Sequence, residues 1–371
     1  MWVGQEQKRV DSCDVVIVGA GLVGAAVAAR LARTGLETAV LEAGDVAGGA
    51  TGHSAGMVLT GLAGHYNWAV SAYGRQRAQE IWALTVEGRV RLVETAKRLG
   101  VAVERGGSLS LAVEEAEVEA LENSATLLQE DGFAAQFTRA DPLGRGFGAA
   151  LHWPDDVTVD GTELTRALLA ESGVTVHTGT EVYNLEPEGD GVRVWAHGRN
   201  VLCGGVVLAV NGYAPLLDSY FASKIAPTRG LVMLTEPLDA MILDRPCCAD
   251  YGYEYCRQLP DRRLLLGGWR RPGSATSGPK LEDTVRDGLI SFASRHFTEI
   301  ETSKSTLRSG TMGFTPDGLP LVGSLPDLPQ VYFAVGLGGR GLAWALVVAE
   351  RLTELMLRDT APGVLSATRL G

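Results

Sequence analysis

The sequence predicts an α/β protein, α+β overall, in which a parallel sheet is interleaved with a mainly antiparallel β lobe. From Asp14, an apolar strand, a glycine turn, a small-residue helix and a second strand follow one another. Short apolar runs separated by turn residues fill the middle of the chain, and a strand, a glycine-rich turn and a long helix follow from Val331. Because the chain has 371 residues, it can form two lobes from one continuous polypeptide.

Hydrophobic periodicity and turn residues predict the individual elements. Helices are expected over 75–99, 114–131, 162–171, 281–297 and 342–357. Strands are expected over 174–177, 181–186, 192–196, 206–210 and 331–335 in the first sheet, over 231–235, 251–258 and 263–268 in the antiparallel lobe, and as a strand pair between 101 and 113. The first domain is therefore assigned to 13–74, 149–226 and 308–371, and the second to 75–148 and 227–307.

The chain is acidic, with a formal net charge of −11. This charge repels phosphate backbones and anionic lipid, and no run of lysine and arginine offsets it locally. Nucleic acid is therefore not expected as a partner. The apolar and glycine-containing segment 15–29 has the wrong length for a membrane span, so no span is expected.

The five cysteines are scattered along the chain at Cys13, Cys203, Cys247, Cys248 and Cys256, without a CxxC spacing. Their odd number and their positions indicate free thiols, not zinc ligands or a disulfide framework. The N-terminal segment also lacks the apolar core of a signal peptide. These observations predict a cytoplasmic protein without a metal site.

The glycine turn after the first strand has the pattern of a nucleotide-binding loop. Gly19, Gly21 and Gly24 form GxGxxG, a spacing that lets the chain turn sharply, a pyrophosphate approach the backbone and the helix pack on the sheet. Glu42 lies eighteen residues after Gly24, where its carboxylate can accept hydrogen bonds from ribose hydroxyls and repels the phosphate of NADP. The pattern predicts a Rossmann-type domain that binds FAD or NAD.

Three further segments bear on the choice between these nucleotides. They are GGATGHSAGMV at 48–58, TPDGLPLVG at 315–323 and VYFAVGLGGRGLAWA at 331–345. Over nearly its whole length the chain resembles the D-amino-acid oxidase / glycine oxidase / sarcosine oxidase (DAO) superfamily of flavoenzymes. Its local motifs are most similar to the γ-glutamylputrescine oxidoreductase-like and dimethylglycine dehydrogenase-like branches. The resemblance implies an FAD-binding first domain, a substrate-binding second domain and a C-terminal helix whose positive end faces the flavin.

The resemblance also implies which residues bind FAD. The loop after the second strand brings backbone amides to the pyrophosphate and flavin, the backbone at Val182 contacts adenine, and the C-terminal glycines approach the flavin. The implied set is Gly19, Ala20, Gly21, Leu22, Val23, Gly24, Glu42, Ala43, Thr51, Gly52, His53, Ser54, Ala55, Gly56, Val182, Gly310, Gly338, Gly339, Arg340 and Gly341.

The family's chemistry implies oxidation of a small-molecule amine or amino acid. Hydride leaves the carbon next to nitrogen for FAD, and the resulting imine is hydrolysed. Dioxygen or another electron acceptor reoxidises the flavin, so oxidase and dehydrogenase activities both remain open. Two alternatives also remain: an NAD-dependent dehydrogenase, which leaves the second glycine motif without a role, and a flavin-bearing subunit of a hetero-oligomer. A homo-oligomer is equally compatible with the sequence.

His53 occupies a position where many relatives have arginine. It matches the histidine that carries covalent flavin in the dimethylglycine and sarcosine dehydrogenase branch, where a neutral imidazole attacks the 8α-methyl carbon. The alternative is an imidazole that only hydrogen-bonds flavin or phosphate. The sequence is consistent with both interpretations.

The predicted substrate site departs from the amino-acid oxidases at Met312. Relatives that oxidise α-amino acids often have arginine at this position, where it pairs with the substrate carboxylate. Methionine cannot make that pair, so amines or N-alkyl compounds are expected, unless another cation takes over. The candidate cations are Arg229, Arg270, Arg271 and Arg340.

Aromatic residues around the strand predicted at 251–258 are candidate walls of the substrate pocket. Tyr251, Tyr253 and Tyr255 alternate along the sequence and are expected on one face of that strand, with Trp269 nearby. They could form a cage for a cationic amine, although such a stripe is also typical of core packing. The substrate-pocket candidates are Tyr251, Tyr255, Trp269 and Met312.

Overall fold

The structure is a computed structural model that describes residues 10–268 and 279–371. The helices within these ranges are α1 Leu22–Leu31, α2 Tyr66–Tyr73, α3 Arg75–Arg98, α4 Glu115–Glu130, α5 Gly161–Ser172, α6 Pro279–His296 and α7 Gly341–Arg358. Each of the five helices predicted above forms, with ends that agree within two residues.

The strands within these ranges form three sheets. They are β1 Val10–Val18, β2 Thr38–Leu41, β3 Met57–Val58, β4 Val103–Arg105, β5 Ser108–Ala112, β6 Gln136–Thr138, β7 Ala149–Trp153, β8 Val157–Val159, β9 Thr175–His177, β10 Val182–Glu188, β11 Gly191–Ala196, β12 Arg199–Leu208, β13 Ala226–Pro237, β14 Cys247–Ala249, β15 Glu254–Gln258, β16 Arg263–Gly268, β17 Thr306–Phe314, β18 Leu321–Ser324 and β19 Val331–Val335.

The first sheet is built around parallel strands. Its order is β10-β11-β12-β1-β2-β9, and β19 pairs with both β12 and β18. β1 runs parallel to β12 and to β2, so both of its edges are hydrogen-bonded and Val16 and Ile17 are fully buried. Helix α1 packs against α5 and α7. The small residues of α1 permit this close packing, and the sheet therefore presents the ends of β1 and β2 to one site.

The second sheet is mainly antiparallel, as the sequence predicts. Its order is β17-β13-β16-β15-β14-β5-β7-β6, and among these pairs only β14 and β5 run parallel. Helix α6 packs against β13 and β16. A third, three-stranded sheet has the order β3-β8-β4.

The strand pair predicted between 101 and 113 is wrong in its partners. β4 and β5 both form, but β4 pairs with β8 in the small sheet, and β5 pairs with β7 and β14 in the second sheet. Between them Gly107 adopts φ +74, and a Cβ there would lie 2.6 Å from the carbonyl oxygen of Trp153. The turn therefore sends the two strands to different sheets.

The strand predicted at 251–258 begins only at Glu254. Asp250 and Tyr251 have φ +50 and +55, and Gly252 has φ +81, so the chain makes a left-handed turn before β15. A turn of this kind breaks the alternation of side chains. The prediction that three tyrosines share one strand face is therefore wrong.

The pairing of strands differs from the predicted domain boundaries at two places. β7, which begins at residue 149, and β17, which spans residue 308, both belong to the second sheet. Helix α3, which was assigned to the second domain, packs closely on α7: a Cβ on its Gly88 would meet the Ala343 carbonyl oxygen at 1.8 Å. The division into two discontinuous domains otherwise stays a prediction.

Candidate cofactor and substrate site

The glycine turn between β1 and α1 is shaped by close backbone contacts. Gly19 has φ +105, and a Cβ there would lie 2.8 Å from the carbonyl oxygen of Ala209. A Cβ on Gly24 would lie 2.0 Å from the carbonyl oxygen of Gly19. Side chains at either position would push the helix away from the strand. The turn therefore leaves its backbone open toward the cavity described below.

Glu42 follows β2 and lies beside this turn. Its Oε2 accepts a hydrogen bond from the backbone N–H of Ala20 at 2.7 Å, and its Oε1 accepts one from Gly44 at 2.8 Å. Because an ionised carboxylate offers about four acceptor positions, two remain for other donors. The carboxylate thus fixes the turn and still faces the cavity.

The loop at 48–58 is anchored to both large sheets. The Thr51 hydroxyl accepts a hydrogen bond from the N–H of Leu22 at 3.2 Å, which ties the loop to the start of α1. On the other side, Nη1 of Arg257 on β15 donates to the Ala55 carbonyl at 2.8 Å, and its Nη2 donates to Glu104 at 2.9 Å. The loop is therefore held between the two lobes.

His53 lies in this loop, half-buried, and lines the cavity. Its Nδ1 lies 2.9 Å from the carbonyl oxygen of Gly49, which can only accept, so Nδ1 carries the proton. In the neutral ring this leaves Nε2 with a lone pair. A Cβ on Gly310 would lie 3.0 Å from the Cβ of His53, so β17 passes close to the imidazole.

The C-terminal glycine turn brings the start of α7 to the same place. Gly338 adopts φ +60, and Gly338, Gly339 and Gly341 line the cavity. Asn211 holds this turn, because its Oδ1 accepts hydrogen bonds from the N–H groups of Gly336 and Leu337 at 3.0 and 3.1 Å. The first N–H groups of α7 give this wall a positive potential.

One cavity of about 950 Å³ connects these elements. Most of the residues predicted to bind FAD line it: Gly19, Gly21, Leu22, Val23, Glu42, Ala43, Thr51, His53, Ser54, Ala55, Val182, Gly310, Gly338, Gly339, Arg340 and Gly341. The other four, Ala20, Gly24, Gly52 and Gly56, are not lining residues: Ala20 donates to Glu42, and a Cβ on any of the three glycines would meet a backbone carbonyl oxygen within 2.4 Å. We call the part around Gly19, Glu42 and Val182 the cofactor end.

The second sheet supplies another part of the same cavity, which we call the substrate end. Its lining includes Cys248 on β14, Tyr253, Tyr255 on β15 and Met312 on β17. Of the predicted pocket residues, Tyr255 and Met312 therefore contribute to the cavity wall. Trp269, and with it Arg270 and Arg271, falls outside the described residues.

Tyr251 does not line the cavity. Its ring lies 5.1 Å from the ring of His65, and its N–H donates to the buried Glu117 carboxylate at 2.5 Å. The left-handed turn at 250–252 directs Tyr251 away and brings Tyr253 to the cavity instead. The assignment of Tyr251 as a pocket wall is therefore wrong, for the same reason as the strand prediction.

Sequence reasoning missed Cys248 as a lining residue. The sequence identified Cys247 and Cys248 only as free thiols, and both are buried. Adjacent residues on a strand point to opposite faces, however, so one of the two had to face away from the other. Burial raises the pKa of the Cys248 thiol to about 11, which keeps it neutral in the cavity.

The candidate cations differ in position. Arg229 lies outside the cavity lining, where its Nη1 is 2.7 Å from Glu282 and its Nη2 donates to Ser309 at 2.9 Å. Arg340 lines the cavity, and its Nη1 donates to the carbonyl oxygen of Thr60 at 2.5 Å. Of these two, only Arg340 can reach a molecule in the cavity.

The donor set and shape of the cavity fit FAD. The glycine positions at 19 and 21 leave backbone exposed for a pyrophosphate, Glu42 can accept from ribose hydroxyls, and the start of α7 suits an electron-rich ring carbonyl. A cavity lined by both sheets also leaves room for a substrate beside the ring. No cluster of three or more potential metal ligands occurs among the described residues.

No helix within 10–268 or 279–371 is long and apolar enough to cross a membrane.

The chain is similar over most of its length to curated proteins. The chain is 26% identical to a glycine oxidase of Bacillus licheniformis, over 93% of each chain. It is 24% identical to the gamma-glutamylputrescine oxidoreductase of Escherichia coli, over 94% of this chain and 84% of that protein.

A solved structure has the same fold. The glycine oxidase of Geobacillus kaustophilus superposes with a TM-score of 0.80 at 22% identity, covering 97% of this chain and 99% of that one. The DAO family model, described as FAD dependent oxidoreductase, matches residues 14–355. Since this match covers most of the chain, the protein belongs to the DAO family of FAD-dependent oxidoreductases.

Proposed function

We propose that this chain oxidises a C–N bond of a small amine or amino acid with FAD as the hydride acceptor. The observation that carries the proposal is one cavity lined both by the nucleotide-binding turn of the first sheet and by side chains of the second sheet. A substrate bound at the substrate end would lie beside the flavin ring. The glycine oxidase and gamma-glutamylputrescine oxidoreductase relatives act on compounds of this class by their names.

The residues at the substrate end suit a neutral amine. Met57, Leu59 and Met312 give this part of the cavity an apolar wall. An apolar environment disfavours an ammonium ion, so a bound amine tends to lose its proton. Its nitrogen lone pair can then assist the departure of hydride from the neighbouring carbon, and exclusion of water protects the imine until it is released.

The rings of Tyr253 and Tyr255 can orient the substrate against the flavin. They line the cavity from the turn before β15 and from β15 itself. Correct orientation of a bound amine, more than a strong general base, is what hydride transfer requires of the protein. We therefore propose Tyr253 in place of Tyr251, beside Tyr255 and Met312, as the wall of the substrate site.

Purification followed by anaerobic titration tests the proposal. The FAD-loaded protein should show flavin absorbance, and this absorbance should bleach when a primary or secondary amine is added from a panel that includes N-methyl amino acids. Admission of dioxygen, and separately of a quinone, then identifies the electron acceptor. Bound flavin that no amine bleaches would instead support the alternative of a flavin-bearing subunit.

The attachment of the flavin at His53 is a separate question. Because a single histidine in a loop of small residues is a short motif, we propose that His53 contacts the flavin without a covalent bond. Acid denaturation should then release all of the flavin, and His53→Arg should retain FAD. Flavin that remains with the precipitated chain would establish the covalent alternative, for which the free Nε2 is the available nucleophile.

A further inference from the structure

Arg340 differs from the other arginines near the cavity in how its charge is balanced. Arg229 pairs with Glu282 at 2.7 Å, and Arg257 pairs with Glu104 at 2.9 Å. For Arg340, the described residues include no carboxylate within salt-bridge distance, and its hydrogen bond to a protein group is the 2.5 Å bond to the carbonyl of Thr60. Four of the five guanidinium N–H groups remain for a ligand.

The Thr60 carbonyl that receives Arg340 is itself held rigidly. The N–H and the hydroxyl of Thr60 both donate to Oδ1 of Asp156, at 3.0 and 2.7 Å. The Ser108 hydroxyl donates to Oδ2 of the same carboxylate at 2.7 Å. Asp156 is 1% exposed, so this network excludes water. The network therefore fixes the position of the guanidinium through Thr60.

Asp156 makes no salt bridge with Arg340, although the charge of Arg340 opposes the rise that burial causes in the pKa of the Asp156 carboxyl. The carboxylate accepts hydrogen bonds from Thr60 and Ser108, and Nη1 of Arg89 lies 3.4 Å from its Oδ1. Arg89 also lies 3.5 Å from the carboxylate of Asp155. Because Asp156 attracts Arg340 without contacting it, the desolvation cost of the guanidinium is only partly offset, and a bound anion would relieve the rest.

The charge of Arg340 faces the substrate end. Arg340 bonds the carbonyl of Thr60, and the preceding residue, Leu59, packs in one cluster with Met57, Cys248 and Tyr255. Cys248 lines the cavity together with Tyr253 and Tyr255. The guanidinium is thus close to the residues that surround the substrate. By contrast, the positive potential that suits the flavin comes from the backbone of α7, which begins at the next residue.

We propose that Arg340 binds a carboxylate of the substrate and that Asp156, acting through Thr60, is the positioning residue for its guanidinium. The proposal rests on the proposed oxidation of amines and adds that the favoured amine carries an anionic group. Arg340 supplies the cation that is missing at position 312, from the turn that precedes α7 and not from β17. The planar fork of an arginine suits a carboxylate, to which it can donate two parallel hydrogen bonds.

Binding of simple carboxylates tests the site independently of turnover. Acetate, propionate, butyrate and benzoate are titrated into the FAD-loaded protein, and binding is followed by calorimetry and by the flavin difference spectrum. Arg340→Gln should weaken carboxylate binding about ten- to hundredfold, the scale of hydrogen bonds to a charged group. The carboxylate affinity of Arg340→Lys should lie between those of the wild type and Arg340→Gln, because an ammonium keeps the positive charge and loses the planar fork. The control Arg229→Gln should leave binding unchanged.

Matched substrates test whether this site selects the amine. Ethylamine is compared with β-alanine, and propylamine with γ-aminobutyrate, by anaerobic stopped-flow reduction of the flavin. The wild-type chain should favour the carboxylated member of a pair, and Arg340→Gln should bring the ratio close to one by raising KM for that member. If carboxylates bind through Arg340 while no amine reduces the flavin, the anion site stands and the proposed oxidation fails.

Two results would overturn the proposal. One is a wild-type chain that binds no carboxylate or prefers the plain amines. The other is an Arg340→Gln variant that slows both members of a pair equally and shifts the flavin reduction potential, which would make Arg340 a flavin contact.

Thr60→Val and Asp156→Asn test the positioning role, and should weaken carboxylate binding while FAD content is retained. Unchanged carboxylate affinity in both variants would assign them a purely structural role.

Discussion

The cofactor end and the substrate end of the cavity are built in different ways. At the cofactor end, the glycine turn, the start of α1 and the Glu42 carboxylate lie within residues 19–42, Val182 joins them from β10, and glycines such as Gly19 and Gly21 expose backbone to the cavity. At the substrate end, the wall consists of side chains such as Cys248, Tyr255, Met312 and Arg340, which come from separate strands and from the start of α7. The first is a local structure, and the second depends on the tertiary fold.

This difference indicates how each end responds to mutation. Backbone cradles depend on the absence of side chains, so substitution of a glycine changes the cradle and the fold together. A wall of side chains can be altered one residue at a time, because the strands that carry it are held by their own pairing. We therefore expect cofactor-end mutations to affect stability and FAD binding, and substrate-end mutations to affect selectivity.

The largest effect is expected from Gly24→Ala. The new Cβ would lie 2.0 Å from the backbone oxygen of Gly19, which cannot rotate away. Although alanine favours a helix by about 1 kcal/mol over glycine, the clash should cost about 3 kcal/mol or more and displace α1 from β1. Thermal denaturation and the flavin content of the purified variant measure this loss.

Gly106→Ala is the matched control for that variant. Its Cβ would meet the nearest atom, the carbonyl oxygen of Asp244, at an ordinary distance of 3.6 Å. Stability and flavin content should remain close to those of the wild type. Equal losses in the two variants would show that the glycine turn tolerates a side chain and that the contact with Gly19 does not define it.

Glu42→Ala should weaken FAD binding by about 1–3 kcal/mol, the scale for unmade hydrogen bonds to a charged group. The change removes acceptors for ribose hydroxyls and also releases the N–H groups of Ala20 and Gly44. Titration of the apoprotein with FAD measures the affinity. Glu37→Ala, at an exposed position just before β2, is the control, and FAD affinity equal to wild type in both variants would remove Glu42 from the site.

The cofactor end could be predicted from the sequence because its signals are contiguous. GxGxxG specifies a turn whose geometry needs only nearby residues, and the structure places Gly19, Gly21 and Glu42 at the cavity as expected. The helices were also predicted well, since their periodicity is local. The same reasoning could not give the partners of β4 and β5, because strand pairing depends on residues far apart in sequence.

The substrate end was predicted only in part. Tyr255 and Met312 line the cavity, whereas the left-handed turn at 250–252 replaces Tyr251 by Tyr253. Asp250 and Gly252 are residue types that tolerate a positive φ, but Tyr251 between them is not, so alternation along a strand was the natural assumption. The choice between Arg229 and Arg340 likewise needed the structure, because it depends on which guanidinium meets a carboxylate of another element.

Met312→Arg should sharpen the contrast between the two ends by changing selectivity and leaving FAD binding intact. An arginine on β17 would offer the fork that relatives use for an α-carboxylate. The ratio of kcat/KM for alanine over ethylamine should rise about ten- to hundredfold. This is the ratio that corresponds to the free energy of a charge-assisted hydrogen bond. Anaerobic flavin reduction measures both substrates, and Met312→Leu is the control for lost packing.

A ratio that does not change in Met312→Arg would show that position 312 does not reach the α-substituent. The flavin absorbance spectrum of the variant serves as an internal check. If that spectrum and the FAD affinity both change, β17 contacts the cofactor more than the substrate, and the boundary between the two ends moves accordingly.

The smallest expected effect is a change in pH-dependent stability at Asp156. Burial raises the pKa of this carboxyl, while hydrogen bonds from Thr60 and Ser108 oppose the rise. In a pH window that begins near the ordinary pKa of 3.8, the Asp156 carboxyl therefore keeps its proton in the folded chain and has lost it in the unfolded chain. Across that window the free energy of unfolding falls as pH rises. Asp156→Asn lacks the titrating group, so its stability should not show this component.

Urea unfolding of both chains at a series of pH values measures the difference. Asp141 is the control of opposite sign: burial raises its pKa, but hydrogen bonds from the N–H groups of Leu143, Phe147, Arg145 and Gly146 outweigh burial and hold the pKa below its usual range. Its contribution to stability is present above the ordinary pKa and is lost as pH falls. The wild-type minus variant difference should therefore decline with rising pH for Asp156→Asn and increase with rising pH for Asp141→Asn. A difference for Asp156→Asn that increases with rising pH would mean that Arg89, Thr60 and Ser108 stabilise the ionised carboxylate, and that the network beneath Arg340 carries a negative charge throughout.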